Sequence, residues 1–279
     1  MTMQLNTIKS LRDTVRAWRA GGETIALVPT MGALHVGHLA LVAAAKVEAK
    51  RVVVSIFVNP TQFGPNEDFS RYPRQLEQDL ALLREAGADA AWLPTVEEMY
   101  PQGFGTVVHV EGPSAGLDGD FRPGHFDGVA TVVSKLLLQV APDVALFGQK
   151  DYQQLAVITR MAADLDMDTR ILGVPTVREE DGLALSSRNA YLTEEERAIA
   201  PQLHVVLQVA ANELQGGSEV ATTLKKAINT LLHIGFKSVD YLELRSDTLE
   251  PMSEFRAPAR LLVAAHLGKT RLIDNLEVE

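Results

Sequence analysis

A chain of 279 residues that is 46% apolar can bury a sizeable core and fill one large domain or two modest ones. It contains no cysteine, which excludes disulfides, thiolate-ligated zinc and thiol catalysis. The formal charge of −10 argues against a broad nucleic-acid surface, so any anion must be met by a local cluster of Lys, Arg, His and backbone N–H groups.

No run approaches the ~20 apolar residues of a membrane span, and residues 1–11 lack the apolar core of a signal peptide. A cytoplasmic protein without membrane contact is expected. Apolar residues at Ile8, Leu11, Val15 and Trp18 predict a helix over 8–20, stopped by Gly21 and Gly22. Residues 24–28 predict a short buried strand, and the Ala-rich stretch 39–50 a helix. The β-branched run 51–58 (RVVVSIFV) is a second strand. A helix over 75–86 ends at Gly87, and 90–93 is a third strand. A strand at 106–110 and a long loop over 112–126 follow, and long loops inside compact domains are often functional. An apolar helix at 128–141, a strand at 144–147, a helix at 151–165 with Asp151 as N-cap, and a strand at 169–174 complete this half. The alternation predicts an α/β fold, a Rossmann-like parallel sheet with helices on both faces.

Composition changes at Arg178–Gly182 (REEDG), which is charged, lacks a core residue and reads as a solvated connector. It divides the chain into an expected domain over 1–176 and a second over 177–279. In the second, Thr193 and Glu196 have the spacing of a capping box ahead of a helix over 194–214. Gly216 and Gly217 separate that helix from one at 219–233, and 239–245, 260–266 and 271–274 read as strands. The second domain is therefore expected to be smaller and α+β.

Residues suited to chemistry gather at four turns. In Pro29-Thr30-Met31-Gly32-Ala33-Leu34-His35-Val36-Gly37-His38 a strand gives way to a helix, where open parallel sheets bind ligands. His35 and His38 share one helix face, Gly32 and Gly37 let backbone approach a ligand, and the helix start offers N–H groups to an anion. An ordinary turn with two solvated histidines is the plain alternative, and zinc lacks a third His or Cys nearby. In Asn59-Pro60-Thr61-Gln62-Phe63-Gly64, neutral amides suit the hydroxyls and carboxylate of a small polar substrate, although Asn-Pro also simply opens turns. In Phe147-Gly148-Gln149-Lys150-Asp151, Lys150 is a point charge suited to a phosphate, or a solvated lysine ahead of a helix. In Gly182–Asn189, the run Ser186-Ser187-Arg188 can meet several phosphate oxygens together, or is a polar interdomain loop. Arg122 adds a cation in the long loop.

The first turn resembles the HIGH motif of the nucleotidyltransferase superfamily. PTMGALHVGH, FVNPTQFG, RPGHFDGV, FGQKDYQQL and GLALSSRN, in this order, with VDYLELR and the closing RLIDN, resemble the pantothenate synthetase (pantoate–β-alanine ligase) family over nearly the whole chain. The resemblance implies ATP-dependent amide formation: pantoate carboxylate attacks the α-phosphorus of MgATP, and β-alanine then takes the pantoyl group from the adenylate. It further implies ATP contacts from Met31, Gly32, Ala33, Leu34, His35, Val36, Gly37 and His38, and from Gly148, Gln149, Lys150, Asp151, Val177, Leu185, Ser186, Ser187 and Arg188. His38 would be the proton donor, with His35, Lys150, Ser186, Ser187 and Arg188 also catalytic, and Gln62 and Gln154 would hold pantoate with Asn59 and Arg122 nearby. Two departures stand out: Val36 where the family often carries an acid, and Gln149 where Glu is usual. Mg2+ keeps several waters and takes one or two carboxylates; Asp79 and Asp151 are candidates, and the metal ligands stay open. The family implies a homodimer. The residues by themselves leave open a nucleotidylyltransferase of a phosphate ester, against which the neutral Asn59, Gln62 and Gln154 stand. A non-enzymatic ATP sensor also remains, since fold does not fix function, and a class I tRNA synthetase would lack its basic extension.

Overall fold

The computed structural model describes residues 2–65 and 67–279; Met1, where the first expected domain begins, and Asn66 lie outside the described residues. In chain order the first half holds β1 (Met3–Leu5), α1 (Ile8–Ala20), β2 (Ile25–Thr30), α2 (Val36–Glu48), β3 (Arg51–Ile56), α3 (Leu76–Ala86), β4 (Ala90–Trp92), α4 (Val96–Met99), α5 (Asp118–Phe121), α6 (His125–Val140), β5 (Val144–Gly148), α7 (Tyr152–Asp164) and β6 (Arg170–Val174). The six strands form one parallel sheet in the order β1-β4-β3-β2-β5-β6. After β2 the chain builds outward through β3 and β4, and after α6 it returns to the other side of β2. The strand order therefore reverses between β2 and β5, the switch point where open α/β sheets bind ligands.

Alternation along β2 explains the layers. Ile25 and Leu27 join the core beneath α1, α6 and α7, while Ala26 and Val28 join the core beneath α2 and α3. Helix α6 is buried nearly all round, as expected of an apolar helix at the centre of a sheet face. It packs so close to the turn after β3 that a Cβ at Gly128 would overlap the Thr61 carbonyl.

The second half holds α8 (Glu194–Ile199), α9 (Gln202–Gln215), α10 (Val220–His233), β7 (Ser238–Ser246), β8 (Ala259–Leu267) and β9 (Thr270–Val278). The strands form an antiparallel sheet in the order β7-β8-β9. One face packs on α9 and α10 through Leu242, Leu244, Leu261, Val263 and Leu272. The other carries Tyr241, Leu262, Ala264 and Ile273 against Leu117 and Tyr152 of the first half. Among the described residues no helix is long and apolar enough to cross a membrane.

Several expectations need correction. Residues 106–110 form no strand: Val108 N–H donates to the Thr131 hydroxyl of α6 at 2.9 Å, so a helix side chain takes the place of a strand partner. The loop over 112–126 is interrupted by α5 and gives way to α6 at His125. The helix over 194–214 is two helices, because Pro201 lacks the N–H that would continue α8. The third C-terminal strand is a full nine-residue strand. Asp151 stands at the start of α7 but makes no side-chain cap. The charged connector is a tight hairpin rather than a solvated tether. Glu179 N–H donates to Leu183 O at 2.9 Å, Arg178 bridges to Ala184, and Arg197 pairs with both Glu179 (2.8 Å) and Asp181 (2.6 Å).

Candidate active site

The cleft opens where β2 and β5 end, and the turn after β2 forms its floor. That turn is conformationally demanding, with Gly32 at φ 84° and Ala33 at φ 51°. It is held by Asp79 of α3, 1% exposed, whose carboxylate accepts from Ala33 N–H (3.0 Å) and Leu34 N–H (2.8 Å). Both oxygens thus accept from backbone N–H groups, and Asp79 acts as the buried clamp of this turn.

The held turn delivers two imidazoles to the start of α2. His35 is the N-cap: its Nδ1 accepts from Gly37 N–H at 3.1 Å, and His38 Nδ1 accepts from His35 N–H at 3.3 Å. This is a capping box built from rings, whose centroids lie 4.1 Å apart. An Nδ1 that accepts carries no proton, so each neutral ring must hold its proton on Nε2. Burial, then the neighbouring His35, lowers the His38 pKa to about 3, and burial followed by Lys150 lowers that of His35. Near pH 7 His38 is therefore neutral and offers an N–H hydrogen bond rather than an imidazolium proton.

Facing them, the turn after β5 brings Lys150, whose Nζ is 3.7 Å from the Asp151 carboxylate. Ser186 caps the short 3-10 turn Ser187–Tyr191, its Oγ accepting from Arg188 N–H at 3.2 Å. The Ser187 hydroxyl lies 3.3 Å from the Tyr72 phenol. Arg188 donates twice to Asp68, at 3.0 and 2.9 Å, keeping other N–H donors for the cleft.

The far end is lined by amides. Gln62 Nε2 lies 3.3 Å from Met31 Sδ, and Gln62 Oε1 accepts from Asn59 Nδ2 at 3.0 Å. Asn59 is spent within its own turn. Its Oδ1 accepts from Thr61 and the Tyr100 hydroxyl, and its remaining N–H donates to Gly128 O. It orients Gln62 rather than presenting a free amide. Arg122 is likewise committed, donating twice to Glu67 at 2.7 Å and once to His125 Nε2 at 2.9 Å. Since a guanidinium only donates and a carbonyl only accepts, His125 is the Nδ1–H tautomer, donating to Gln62 O at 2.8 Å. Burial, then Arg122, lowers its pKa to about 4.

The cleft is lined by the expected Met31, His35, Gly37, His38, Asn59, Gln62, Arg122, Gly148, Lys150, Asp151, Gln154, Val177, Leu185, Ser186, Ser187 and Arg188. Gly32, Ala33 and Leu34 lie behind it, Val36 points to solvent at 64% exposure, and Gln149 packs over Gly173 of β6. The departures at Val36 and Gln149 are therefore peripheral in space. Sequence reasoning missed Tyr72, which carried no motif, and His125, which stood in RPGHFDGV beside the chosen Arg122. It also missed the apolar wall Val129, Val132, Val133 and Leu136, whose helical spacing reads only as core. No group of three His, Asp or Glu side chains that could hold a metal occurs among the described residues.

A family model described as Pantoate-beta-alanine ligase matches residues 3–277. A pantothenate synthetase of Paramagnetospirillum magneticum is 59% identical over 99% of this chain and 97% of its own length. One from Sphingopyxis alaskensis is 57% identical over 98% and 99%. The crystal structure of a pantothenate synthetase from Thermus thermophilus superposes with a TM-score of 0.94 at 51% identity, covering 99% of both chains. That of a pantoate-beta-alanine ligase from Francisella tularensis, complexed with beta-gamma ATP and beta-alanine, gives 0.84 at 35% identity over 99% and 98%.

Proposed function

The chain belongs to the pantoate–β-alanine ligase family, and from that premise we propose how its own residues carry the reaction. The enzyme condenses pantoate with β-alanine through a pantoyl adenylate, consuming ATP and releasing pyrophosphate and AMP. A pantoate carboxylate oxygen bonds to the α-phosphorus as the bond to the β-phosphate oxygen breaks, and pyrophosphate leaves with that electron pair. The β-alanine nitrogen then attacks the acyl carbon, AMP departs, and the amine loses a proton.

Such displacement needs positioning and charge neutralisation more than a protein nucleophile. The observation that carries the assignment is the fixed tautomer of His35 and His38: two neutral Nε2–H donors at a helix start, in one cleft with Lys150. These groups meet the phosphates as charge develops, joined by Ser186, Ser187 and Arg188. Neutral imidazoles suit this task because they donate without adding cationic repulsion toward Lys150. Gln62 and Gln154 hold the pantoate hydroxyls and carboxylate, Asn59 orients Gln62, and Arg122 with His125 closes that end.

A magnesium ion arriving with ATP would supply neutralisation of phosphate charge. Asp151 is the cleft-lining carboxylate that would hold the ion. Residues 1–176 and 177–279 act as two units, the second supplying the Ser186–Arg188 turn. We further propose a cytoplasmic homodimer acting on small molecules only; its use of ATP supports the compartment and its family the dimer, and fractionation and sedimentation test them.

Isotope exchange from pyrophosphate into ATP tests the assignment. Exchange that requires pantoate supports it. Exchange that instead requires a phosphate ester indicates a nucleotidylyltransferase, and tight ATP binding without exchange indicates a sensor.

A further inference from the structure

Two residues of the closing Arg271-Leu272-Ile273-Asp274-Asn275 segment of β9 grip the two segments that carry the phosphate-handling side chains. Asn275 is 4% exposed, and its Nδ2 donates to Gln149 O and to Lys150 O, both at 2.9 Å. Its Oδ1 is occupied by Arg260 Nη1 at 2.8 Å, and Arg260 stacks over the Tyr152 ring at 4.0 Å. The amide is therefore fully used, and the Lys150 turn hangs from both of its donors.

Asp274, also 4% exposed, points to the opposite face, as strand alternation requires. Its carboxylate accepts two bonds from Arg178, at 2.7 and 2.8 Å, with His204 at 3.4 Å. Arg178 opens the hairpin that leads into Leu185 and Ser186, and it also donates to Gly182 O across that hairpin at 3.1 Å. Consecutive strand residues are about 3.3 Å apart. One strand thus holds the lysine turn on one face and the root of the Ser-Ser-Arg turn on the other, in fixed register.

We propose that Asp274 and Asn275 are positioning residues for adenylation, setting the distance between Lys150 and the Ser186–Arg188 turn. This rests on the phosphate roles assigned above. Neither residue is required to contact substrate.

The test is a pair of double-mutant cycles in the full-length enzyme, read by pantoate-dependent pyrophosphate exchange. Asn275→Ala should lower kcat by roughly 10- to 100-fold, since misplacement on the ångström scale costs that much, while the pantoate KM stays within about twofold. Added to Lys150→Ala, it should cost less than about threefold more, because residues acting as a unit are not additive. Asp274→Asn should behave the same way against Arg188→Ala. A general loss of fold would instead multiply through both cycles. Should Asn275→Ala fail to fold, Asn275→Asp keeps the volume and the acceptor for Arg260 while losing the donors, and the same kcat loss is expected. Folded Asn275 variants with near-normal kcat, or losses that multiply with Lys150→Ala, would overturn the inference alone. Lys150→Ala at full rate would overturn the assigned role of Lys150 and this inference with it.

Discussion

Replacing Asp79 with alanine strands two buried N–H groups at once. A buried donor left without a partner costs about 1–3 kcal/mol, so the loss of the Ala33 and Leu34 bonds costs about 4 kcal/mol together. The turn also holds Ala33 at φ 51°, a left-handed conformation worth roughly 1–2 kcal/mol of strain for an L-residue. Once released, it has reason to relax and to carry His35 and His38 away from the cleft. A loss near 4 kcal/mol is a large share of the ~5–15 kcal/mol stability of a domain. Asp79→Asn keeps one acceptor and the volume, so about half that loss is expected. Urea unfolding followed by circular dichroism gives the stability, and pyrophosphate exchange on the folded protein gives the activity; both should fall, further for Ala than for Asn. An unchanged urea midpoint for Asp79→Ala would refute the clamp. If Asp79→Asn instead kept its stability and raised the magnesium requirement, the carboxylate would be a metal ligand.

His38→Ala and Lys150→Ala should each cut pantoate-dependent exchange by ~100-fold or more, the usual cost of one preorganised charge-stabilising contact, with the dichroism spectrum unchanged; near-normal exchange would remove the assigned role. Gln62→Ala and Gln154→Ala should raise the pantoate KM far more than they weaken ATP binding, by a factor matching ~1–3 kcal/mol for a substrate group left unpaired; a loss confined to ATP affinity would move these side chains to the nucleotide end. His38 has its pKa depressed to about 3, so it adds stability that is full above pH ~6.5, the unfolded value, and is lost as pH falls toward 3. Ring-nitrogen NMR should show it as the Nε2–H tautomer from pH 8 to pH ~5, and a midpoint near 6.5 would contradict the buried ring.

Much of the first sheet was legible because parallel strands buried on both faces read as apolar runs such as RVVVSIFV. Three of the four turns were legible because chemistry-bearing residues directly follow such runs, and the fourth because it directly follows the charged connector. What was hidden depended on partners far along the chain. Residues 106–110 have strand composition, but Thr131 supplies what a strand would. The acidic REEDG segment looks solvated until Arg197 and Asp274 are brought to it. Asn59 and Gln62 look alike as amides, yet one is consumed by Tyr100, Thr61 and Gly128 and the other is left facing the cleft. Asp79 and Asp151 were interchangeable as acids until the fold buried one beneath two N–H groups and placed the other in the cleft.

The missing side chain at Gly128 has a consequence for how readily the enzyme could change its substrate. With no Cβ between α6 and the Thr61–Gln62 backbone, helix and turn meet main chain on main chain in a seam behind the side-chain wall of Val129, Val132, Val133 and Leu136. That wall can be trimmed one methylene at a time to admit a bulkier acid, but the backbone seam behind it has nothing to trim. Enlarging it means parting a central helix from its sheet, with the loss of packing in the core that α6 shares with α1 and α7. Selection for a larger hydroxy acid would therefore act on the side chains of that wall, and substitutions at Gly128 itself should yield poorer enzymes rather than broader ones.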